Sequence, residues 1–263
     1  MELGLQGRTA FVSGSTQGIG YAVASALAAE GVRVVVNGRT PAGVEEAVAR
    51  LRAAHPDAEI SGLAADFARA DQVSRLLGAL GDVDVLVNNV GLFGLADFDE
   101  LPDDEWDRYF QVNVMSGVRL SRGLLGGMIE RGWGRVVFIS SESGVNVPAD
   151  MVHYGVTKAA TIALANGLAK RTRGTAVTVN TVLGGPTYSD GVAAAVAAVA
   201  DAQGLPVEAM KGAIIAQNRT SLLERFLEPR EIADLVTYLA SPRSAATNGA
   251  ALRADGGVLT SIL

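Results

Sequence analysis

The sequence predicts an α/β protein whose single parallel sheet carries helices on both faces. Three observations support this. Short apolar runs rich in β-branched residues alternate with longer helical patterns. A glycine-rich turn joins the first apolar run to the first helix. No run rich in proline or serine, no charge block and no repeat divides the 263 residues, so we expect one domain over residues 1–263.

Seven apolar runs are predicted to form the strands. They cover residues 9–13, 32–36, 59–64, 83–87, 135–139, 177–182 and 250–254. Helical patterns between them cover about 18–30, 41–54, 105–131 and 151–172. Because apolar strands separated by helices are typical of covered parallel sheets, we expect a doubly wound seven-stranded sheet with a ligand crevice at the carboxyl ends of its strands.

The composition argues against several classes of function. A formal net charge of −6 and a pI near 5.0 do not suit a nucleic-acid-binding surface, which needs clustered positive charge. The chain has no cysteine and only two histidines, His55 and His153, so no metal site is predicted. No secretory signal pattern and no 18-residue apolar span occurs. We therefore expect a cytoplasmic protein without nucleic-acid or membrane partners.

The turn after the first strand predicts a phosphate site. Its three glycines are spaced four and then two residues apart. Missing side chains let the backbone approach a phosphate, and the amino end of the next helix offers free N–H groups. The spacing matches the GxGxxG fingerprint only in part, but its place after the first strand favours a dinucleotide over a plain structural turn. The predicted contacts are Gly14, Ser15, Thr16, Gln17, Gly18, Ile19 and Gly20.

The end of the second strand predicts which dinucleotide is bound, because the adenine ribose lies there. An NAD site usually has an Asp or Glu at this point, whereas this chain has Asn37, Gly38, Arg39 and Thr40. The guanidinium of Arg39, with Asn37 and Thr40 beside it, suits a 2′-phosphate. NADP(H) is therefore favoured. The alternative is that Arg39 is a solvated loop residue, and NAD(H) stays open as the cofactor.

Tyr154 and Lys158 predict proton-transfer chemistry. They are four residues apart and share one face of a helix. Ser141 follows the strand-like run 135–140, which places its hydroxyl within reach of them. Only three of the 22 basic residues are lysines, and lysine, unlike arginine, changes its charge readily. Taken alone, the pair also fits an ordinary amphipathic helix face.

In their order along the chain, these residues resemble those of the short-chain dehydrogenase/reductase family over nearly the whole length. The ordered series is Gly14, Gly18, Gly20, Asp66, Asn88-Asn89-Val90-Gly91, Asn113, Ser141, Tyr154, Lys158, Thr247-Asn248-Gly249 and Asp255-Gly256-Gly257. Each motif is weak alone, whereas the ordered set is specific. The nearest resemblance is to the branch similar to β-ketoacyl-[acyl-carrier-protein] reductases. It implies a Rossmann-like fold with a helical substrate lid at about 188–226.

The resemblance implies that a carbonyl compound and its alcohol are interconverted by hydride transfer. Tyr154 would be the general acid and base. Lys158 would favour the ionised tyrosine and bind the nicotinamide ribose. Ser141, chosen over the neighbouring serines by its thirteen-residue interval to Tyr154, would polarise the substrate oxygen. Asn113 would anchor a water that links Lys158 to solvent.

The same resemblance implies further cofactor contacts. They are Asp66, Phe67, Asn89, Val90, Gly91, Pro186 and Thr187, together with Tyr154 and Lys158. The chain departs from the family pattern at Gly184, where proline is usual, and we expect a looser loop there. His153 precedes Tyr154 but points about 100° away on the helix, so we expect it at the surface or the pocket rim.

The Ala/Val-rich lid favours a hydrophobic or small neutral carbonyl substrate. The pocket residues expected are Leu92, Phe93, Val145, Asn146, Val147 and Tyr188. A 3-oxoacyl thioester is one alternative, with a basic docking patch formed by Arg131, Arg135, Arg171 and Arg173 unless these are isolated surface residues. A sugar or polyol is another. A sensor or scaffold that binds the dinucleotide without catalysis is the alternative of a different class, and the retained tyrosine and lysine disfavour it.

The resemblance also implies assembly, as a homotetramer or a dimer. The helices at 105–131 and 151–172 would pack against symmetry mates. Small residues on the second helix would permit close approach, namely Ala159, Ala160, Ala163 and Ala165. Alanines are equally suited to a helix that faces its own sheet.

Overall fold

A computed structural model of the chain describes residues 2–262 and contains one parallel seven-stranded sheet. The strands are β1 (Thr9–Val12), β2 (Arg33–Gly38), β3 (Ile60–Ala64), β4 (Val85–Asn88), β5 (Gly134–Ser141), β6 (Val177–Gly184) and β7 (Ala251–Ala254). They lie in the order β3-β2-β1-β4-β5-β6-β7. The strand order reverses between β1 and β4, which opens a crevice at their carboxyl ends. The predicted fold class is confirmed.

Nine α-helices lie within residues 2–262. They are α1 (Gly18–Ala29), α2 (Pro41–Ala54), α3 (Ala70–Leu80), α4 (Asp103–Tyr109), α5 (Met115–Glu130), α6 (Val152–Arg171), α7 (Asp190–Gln203), α8 (Val207–Gln217) and α9 (Pro229–Ala240). Side chains of successive strand residues point to opposite faces of the sheet. Val12 belongs to a core cluster that includes residues of α1, α2 and α9, whereas Phe11 belongs to one that includes residues of α3, α5 and α6. The sheet is therefore covered on both faces, as predicted.

The predicted helix at 105–131 is interrupted. A π-helical turn at Phe110–Val114 separates α4 from α5. Within this turn the Asn113 amide accepts from the Leu92 N–H at 2.7 Å and donates to the Leu92 carbonyl oxygen and to Thr157 Oγ1. These bonds hold Asn113 toward the crevice, and the wider turn accommodates it. Single π turns of this kind are frequent at functional sites.

The lid at about 188–226 contains two helices, α7 and α8, joined at Gly204. This glycine has a φ of +64° and ends α7 in the left-handed conformation that glycine favours. Val196, Ala200 and Met210 form a small core between the helices. Within residues 2–262 no single helix is long and apolar enough to cross a membrane, and α7 with α8 meets that criterion only as a pair bent by 108°.

Arg135 lies inside the protein, so its predicted place in a surface patch is wrong. It is 2% exposed. Its guanidinium donates to three backbone carbonyl oxygens, those of Gly134, Ala176 and Ser241, and stacks over the Trp133 ring. Burial lowers the pKa of Arg135 to about 10. Arg135 thus connects β5 to neighbouring backbone segments, and its buried charge is not accessible to a partner protein.

Candidate active site

The turn between β1 and α1 is shaped to receive a phosphate. Gly14 and Gly18 have φ values of +61° and +59°, in the left-handed region. A Cβ on Gly20 would collide with the Gly14 carbonyl oxygen, so the backbone fits only around glycine. The Gly18 N–H donates to Asp190 Oδ2 at 2.6 Å, which shows that an anionic oxygen is accepted at the amino end of α1. The residues therefore fit a phosphate group.

Ser15 and Asn37 support this turn from inside. Ser15 Oγ donates to the Val12 carbonyl oxygen and accepts the Asn37 N–H. Asn37 is 1% exposed, its Oδ1 accepts the Gly14 N–H, and its Nδ2 donates to the Leu63 carbonyl oxygen. The polar atoms of Asn37 are thus bonded to the protein. Asn37 therefore supports the glycine turn, and the direct cofactor contact expected of it stays a prediction.

Arg39 and Thr40 lie exposed just beyond β2. No ion pair in the described part of the chain includes Arg39. Thr40 Oγ1 accepts the Gly43 N–H and caps α2. A Cβ on Gly38 would lie 2.5 Å from Thr16 Cγ2, so the missing side chain lets Thr16 pack against the end of β2. The glycine turn and the end of β2, which Arg39 follows, are therefore in contact, as a dinucleotide site requires.

The segment after β4 is bonded to the glycine turn. Asn89 Nδ2 donates to the carbonyl oxygens of Ser13 and Gly14, and the Val90 N–H donates to Ser13 Oγ. Gly91 follows, and a Cβ there would lie 3.5 Å from Lys158 Nζ. The predicted contacts at 89–91 thus connect the two halves of the crevice.

Asp66 and Phe67 follow β3. Asp66 Oδ1 accepts the Ala68 N–H, and its backbone N–H donates to Gln72 Oε1. The Phe67 ring is buried in the core, so only its backbone is available to a ligand.

Asn88, the last residue of β4, is buried without a partner. Within residues 2–262 neither polar atom of its side chain makes a hydrogen bond. Buried amides without partners are rare because leaving them unbonded costs about 1–3 kcal/mol. A ligand or a water at this edge of the sheet is the natural partner.

Strand β5 and helix α6 bring Ser141, Tyr154 and Lys158 to one place. Ser141 ends β5, and Tyr154 lies in the first turn of α6. Lys158 is buried, donates from Nζ to the Ile139 carbonyl oxygen at 2.9 Å, and lies 5.5 Å from the centroid of the Tyr154 ring. Thr157, which donates to the Tyr154 carbonyl oxygen, is also the partner of Asn113. All four predicted catalytic residues therefore border the same crevice.

Burial controls the protonation of this group. Burial lowers the pKa of Lys158 to about 8, while the negative charge of Glu142 acts in the opposite direction. Burial raises the pKa of Tyr154 well above its usual ~10, the Ser141 hydroxyl lowers it, and Glu142 and Tyr109 raise it further. Burial thus favours the protonated form of Tyr154. That Lys158 favours the ionised form stays a prediction. A protonated tyrosine is ready to donate.

Glu142 is a site residue that the sequence analysis missed. Ser141 Oγ donates to its Oε2 at 2.5 Å, and Ser143 Oγ donates to its Oε1 at 3.2 Å. Burial raises the pKa of this carboxyl, and its bonds to the two serines offset part of the shift. The only signal in the sequence is an acidic residue directly after the predicted serine, and such residues are usually solvated.

His153 is buried, so the prediction of a surface or rim position is wrong. It is 3% exposed. Its ring packs edge-on against Tyr109, with centroids 4.3 Å apart, and against Trp106 at 6.3 Å. Burial lowers the pKa of His153, and the charge of Glu105 acts in the opposite direction. The residue packs α6 against α4 and leaves Tyr154 alone facing the crevice.

The loop after β6 is held on both sides, which differs from the looser loop expected at Gly184. This glycine ends β6 and pairs with both neighbouring strands. The Gly185 N–H donates to the Ala254 carbonyl oxygen at 3.1 Å. Thr187 Oγ1 donates to the Gly185 carbonyl oxygen, and the Pro186 carbonyl accepts the Leu227 N–H. Pro186 and Thr187 therefore have fixed positions beside the crevice.

Apolar side chains of the segments after β4 and β5 are exposed. Phe93 is 50% exposed, Val145 is 51% exposed and Val147 is 40% exposed. Tyr188 begins the lid, where its ring packs on Phe226 and lies 4.3 Å from Lys211 Nζ.

Comparisons with known proteins agree with this geometry. A family model described as short chain dehydrogenase matches residues 8–200. The chain is 44% identical to YvaG of Bacillus subtilis (strain 168), described as an uncharacterized oxidoreductase, with both chains covered completely. It is 30% identical to the 3-oxoacyl-[acyl-carrier-protein] reductase FabG of Vibrio cholerae, over 97% of this chain and 99% of the relative.

A solved structure is similar over the full length as well. L-sorbose reductase from Gluconobacter frateurii, complexed with NADPH and L-sorbose, is 28% identical with a TM-score of 0.95, and all of both chains is covered. The comparisons thus agree with the sheet order, with the glycine turn and with the group formed by Ser141, Tyr154 and Lys158. The chain belongs to the short-chain dehydrogenase/reductase family of oxidoreductases.

Proposed function

We propose that the protein is an NADP(H)-preferring oxidoreductase that interconverts a carbonyl compound and its alcohol, with Tyr154 as the general acid and base. One observation carries the proposal. Ser141, Tyr154 and Lys158 lie at the same edge of the sheet as a glycine turn that fits a phosphate. A dinucleotide bound across this edge and a substrate beside Tyr154 share one crevice.

The residues divide the chemistry between them. The nicotinamide cofactor, when bound, supplies or accepts the hydride. The Tyr154 hydroxyl donates its proton to the carbonyl oxygen as negative charge develops there, and accepts a proton in the reverse direction. Ser141 holds the substrate oxygen. Lys158, whose ammonium is fixed by the Ile139 carbonyl, places positive charge next to the reacting group.

Two features support NADP(H) as the cofactor. Arg39 is exposed at the end of β2, and residues 37–40 contain no carboxylate that would accept the ribose hydroxyls. The similar sorbose reductase is complexed with NADPH. NAD(H) is the alternative.

The exposed Phe93, Val145 and Val147 support a hydrophobic or small neutral carbonyl substrate. A sugar or polyol is the second candidate, because L-sorbose is bound by the structure that matches the whole chain. A thioester on an acidic carrier protein has less support, because Arg135 is buried and Arg131 is paired with Asp82. The inactive sensor is disfavoured by the presence of both Tyr154 and Lys158.

The proposal is tested with a panel of ketones, aldehydes, sugars and acyl thioesters, assayed for consumption of NADPH and of NADH. The corresponding alcohols are run with the oxidised cofactors. We expect turnover with at least one carbonyl class and a lower KM for NADPH than for NADH. Tight NADPH binding without turnover of any substrate class would favour the sensor instead.

A homotetramer is also proposed, with a dimer as the alternative. Ala159 and Ala163 line an open groove between α6 and the segment leading into β7. Ala165, in contrast, is buried in the chain's own core and takes no part in such a contact. A groove of small residues suits the close approach of a second helix.

A further inference from the structure

The single proton of the Ser141 hydroxyl is already committed. Ser141 Oγ donates it to Glu142 Oε2 at 2.5 Å and accepts the Ser143 N–H at 3.1 Å. A hydroxyl has one donor and two acceptor positions. In this arrangement Ser141 has no hydrogen left for a substrate carbonyl oxygen, which accepts hydrogen bonds but cannot donate them.

Glu142 has no cation in contact to hold it ionised. Its second oxygen accepts from Ser143 Oγ, and it forms no ion pair within residues 2–262. From α6 it faces Tyr154 and Lys158, and the Lys158 ammonium is directed to the Ile139 carbonyl instead. Strand β6, which also packs against the Glu142 turn, contains no titratable side chain, and Tyr109 of α4 lies beyond Tyr154.

Burial shifts the titration of Glu142 toward its neutral form. Burial raises the pKa of the carboxyl, and a neutral carboxylic acid has a proton to give. The short contact between Ser141 Oγ and Glu142 Oε2 is then made in the opposite sense, with Glu142 as the donor and Ser141 as the acceptor. The hydrogen of the Ser141 hydroxyl is then available for a hydrogen bond to another acceptor.

We propose that Glu142 is a positioning residue which, in its protonated form, donates to Ser141 Oγ and so turns the Ser141 hydroxyl toward the substrate carbonyl oxygen. This inference rests on the proposed function. No bond to substrate is made or broken by Glu142, and its proton stays on its own carboxyl. When Glu142 is ionised it takes the Ser141 hydrogen, and carbonyl reduction loses one of its two hydrogen-bond donors.

The direction of the pH dependence follows. A carboxyl is protonated below its pKa, so reduction is supported at low pH and loses this support as pH rises through the pKa of Glu142, which burial raises. Lys158 is a separate group whose pKa is about 8, lowered by burial. The titration steps of Glu142 and Lys158 can be told apart, because only the Glu142 step is removed when a carboxyl is replaced by an amide.

The first test compares Glu142→Gln with a matched control, Glu130→Gln, which removes the same charge at an exposed site at the far end of α5. The amide introduced by Glu142→Gln donates to Ser141 at every pH. From about pH 5 to about pH 9, we expect kcat/KM for NADPH-dependent reduction to fall through a step in the wild type and in Glu130→Gln. Glu142→Gln should lack that step and exceed the wild type several-fold above it. An identical step in all three proteins would overturn the proposal.

A second test does not need turnover. Infrared difference spectra of the full chain with NADPH bound, between low and high pH, report the C=O band of a protonated carboxyl. We expect a band that titrates in the wild type and in Glu130→Gln and is missing in Glu142→Gln. Its absence from the wild-type difference spectra would show that Glu142 does not change its protonation state over this pH range and would refute the proposal. If no substrate is reduced by the wild type, the proposed function fails, and this band still decides the state of Glu142.

Discussion

The proposed preference for NADP(H) depends on Arg39. It is exposed at the carboxyl end of β2, free of ion pairs within residues 2–262, and next to the glycine turn through Thr16 and Gly38. Its guanidinium is therefore available to a phosphate without first breaking a bond. Hydrogen bonds to charged groups contribute about 1.5–3 kcal/mol.

We expect Arg39→Ala to weaken NADPH binding by about 10- to 150-fold, which is that contribution expressed as an equilibrium constant. NADH binding should change far less because NADH lacks the 2′-phosphate. Fluorescence titration of both cofactors measures the difference. Arg33→Ala, at the opposite end of β2, is the matched control and should leave both affinities near the wild type. Equal losses for NADPH and NADH in Arg39→Ala would rule out the phosphate role.

Single residues of the site were predictable where their chemical type and spacing carry the information. The four-residue spacing of Tyr154 and Lys158 places them on one helix face in any sequence that forms the helix. Glu142 and Asn37 were different. Their roles depend on which hydrogen bonds close around Ser141 and Gly14 after folding, and neither is visible in spacing. His153 was misplaced because Trp106 and Tyr109, which cover it, are distant in sequence.

At the scale of elements, the lid helix α7 touches the phosphate-binding turn. The Asp190 carboxylate accepts the Gly18 N–H at 2.6 Å, and a Cβ on Gly18 would lie 3.3 Å from Ser189 Cβ. A cofactor phosphate at the amino end of α1 meets a carboxylate of the same charge there. We therefore expect the start of α7 to give up some of this contact when the cofactor binds.

We expect Asp190→Asn to increase NADPH affinity by about 2- to 5-fold, because charge effects at a helix amino end are worth about 0.3–1 kcal/mol. Isothermal titration calorimetry measures it, and the gain should shrink in high salt. Asp201→Asn, an exposed carboxyl near the other end of α7, serves as the control and should show no gain. A lower affinity in Asp190→Asn would mean that Asp190 supports the bound state instead.

An element could be predicted from the sequence where residues close by in the chain set its boundaries. The helical lid at about 188–226 was implied by the family resemblance, and a local signal marks its division, since α7 ends at Gly204 and α8 begins after Pro206. The π turn within 110–114 was not predicted. It depends on the Asn113 amide bonding the backbone of Leu92, some twenty residues earlier in the chain.

At the scale of the whole molecule, the alternation of strands and helices and the family resemblance predicted a doubly wound parallel sheet. Alternation alone gives a parallel sheet, whereas the reversal between β1 and β4 that opens the crevice is a property of the complete fold. Arg135 illustrates what alternation leaves out. A charged residue in an apolar strand is buried because three carbonyl oxygens and the Trp133 ring receive it.

Assembly is tested on the groove of α6. Ala163 is exposed there, so Ala163→Arg should leave the folded chain intact while blocking close approach of a second copy. We expect the wild type to sediment as a tetramer and the variant as a smaller species in analytical ultracentrifugation. Asn166→Arg at the groove's edge is a graded comparison with a weaker effect. An unchanged sedimentation coefficient in Ala163→Arg would place the interface elsewhere.

The proposed function depends most directly on the Tyr154 hydroxyl. The decisive measurement is the reduction of the best carbonyl substrate by Tyr154→Phe, made beside NADPH binding to the same variant. We predict that kcat falls by at least about 100-fold, since general acid catalysis contributes about 10²–10⁴-fold, while NADPH affinity stays close to the wild type. Turnover retained at the wild-type rate, with the cofactor bound normally, would contradict the assignment of Tyr154 as the proton donor.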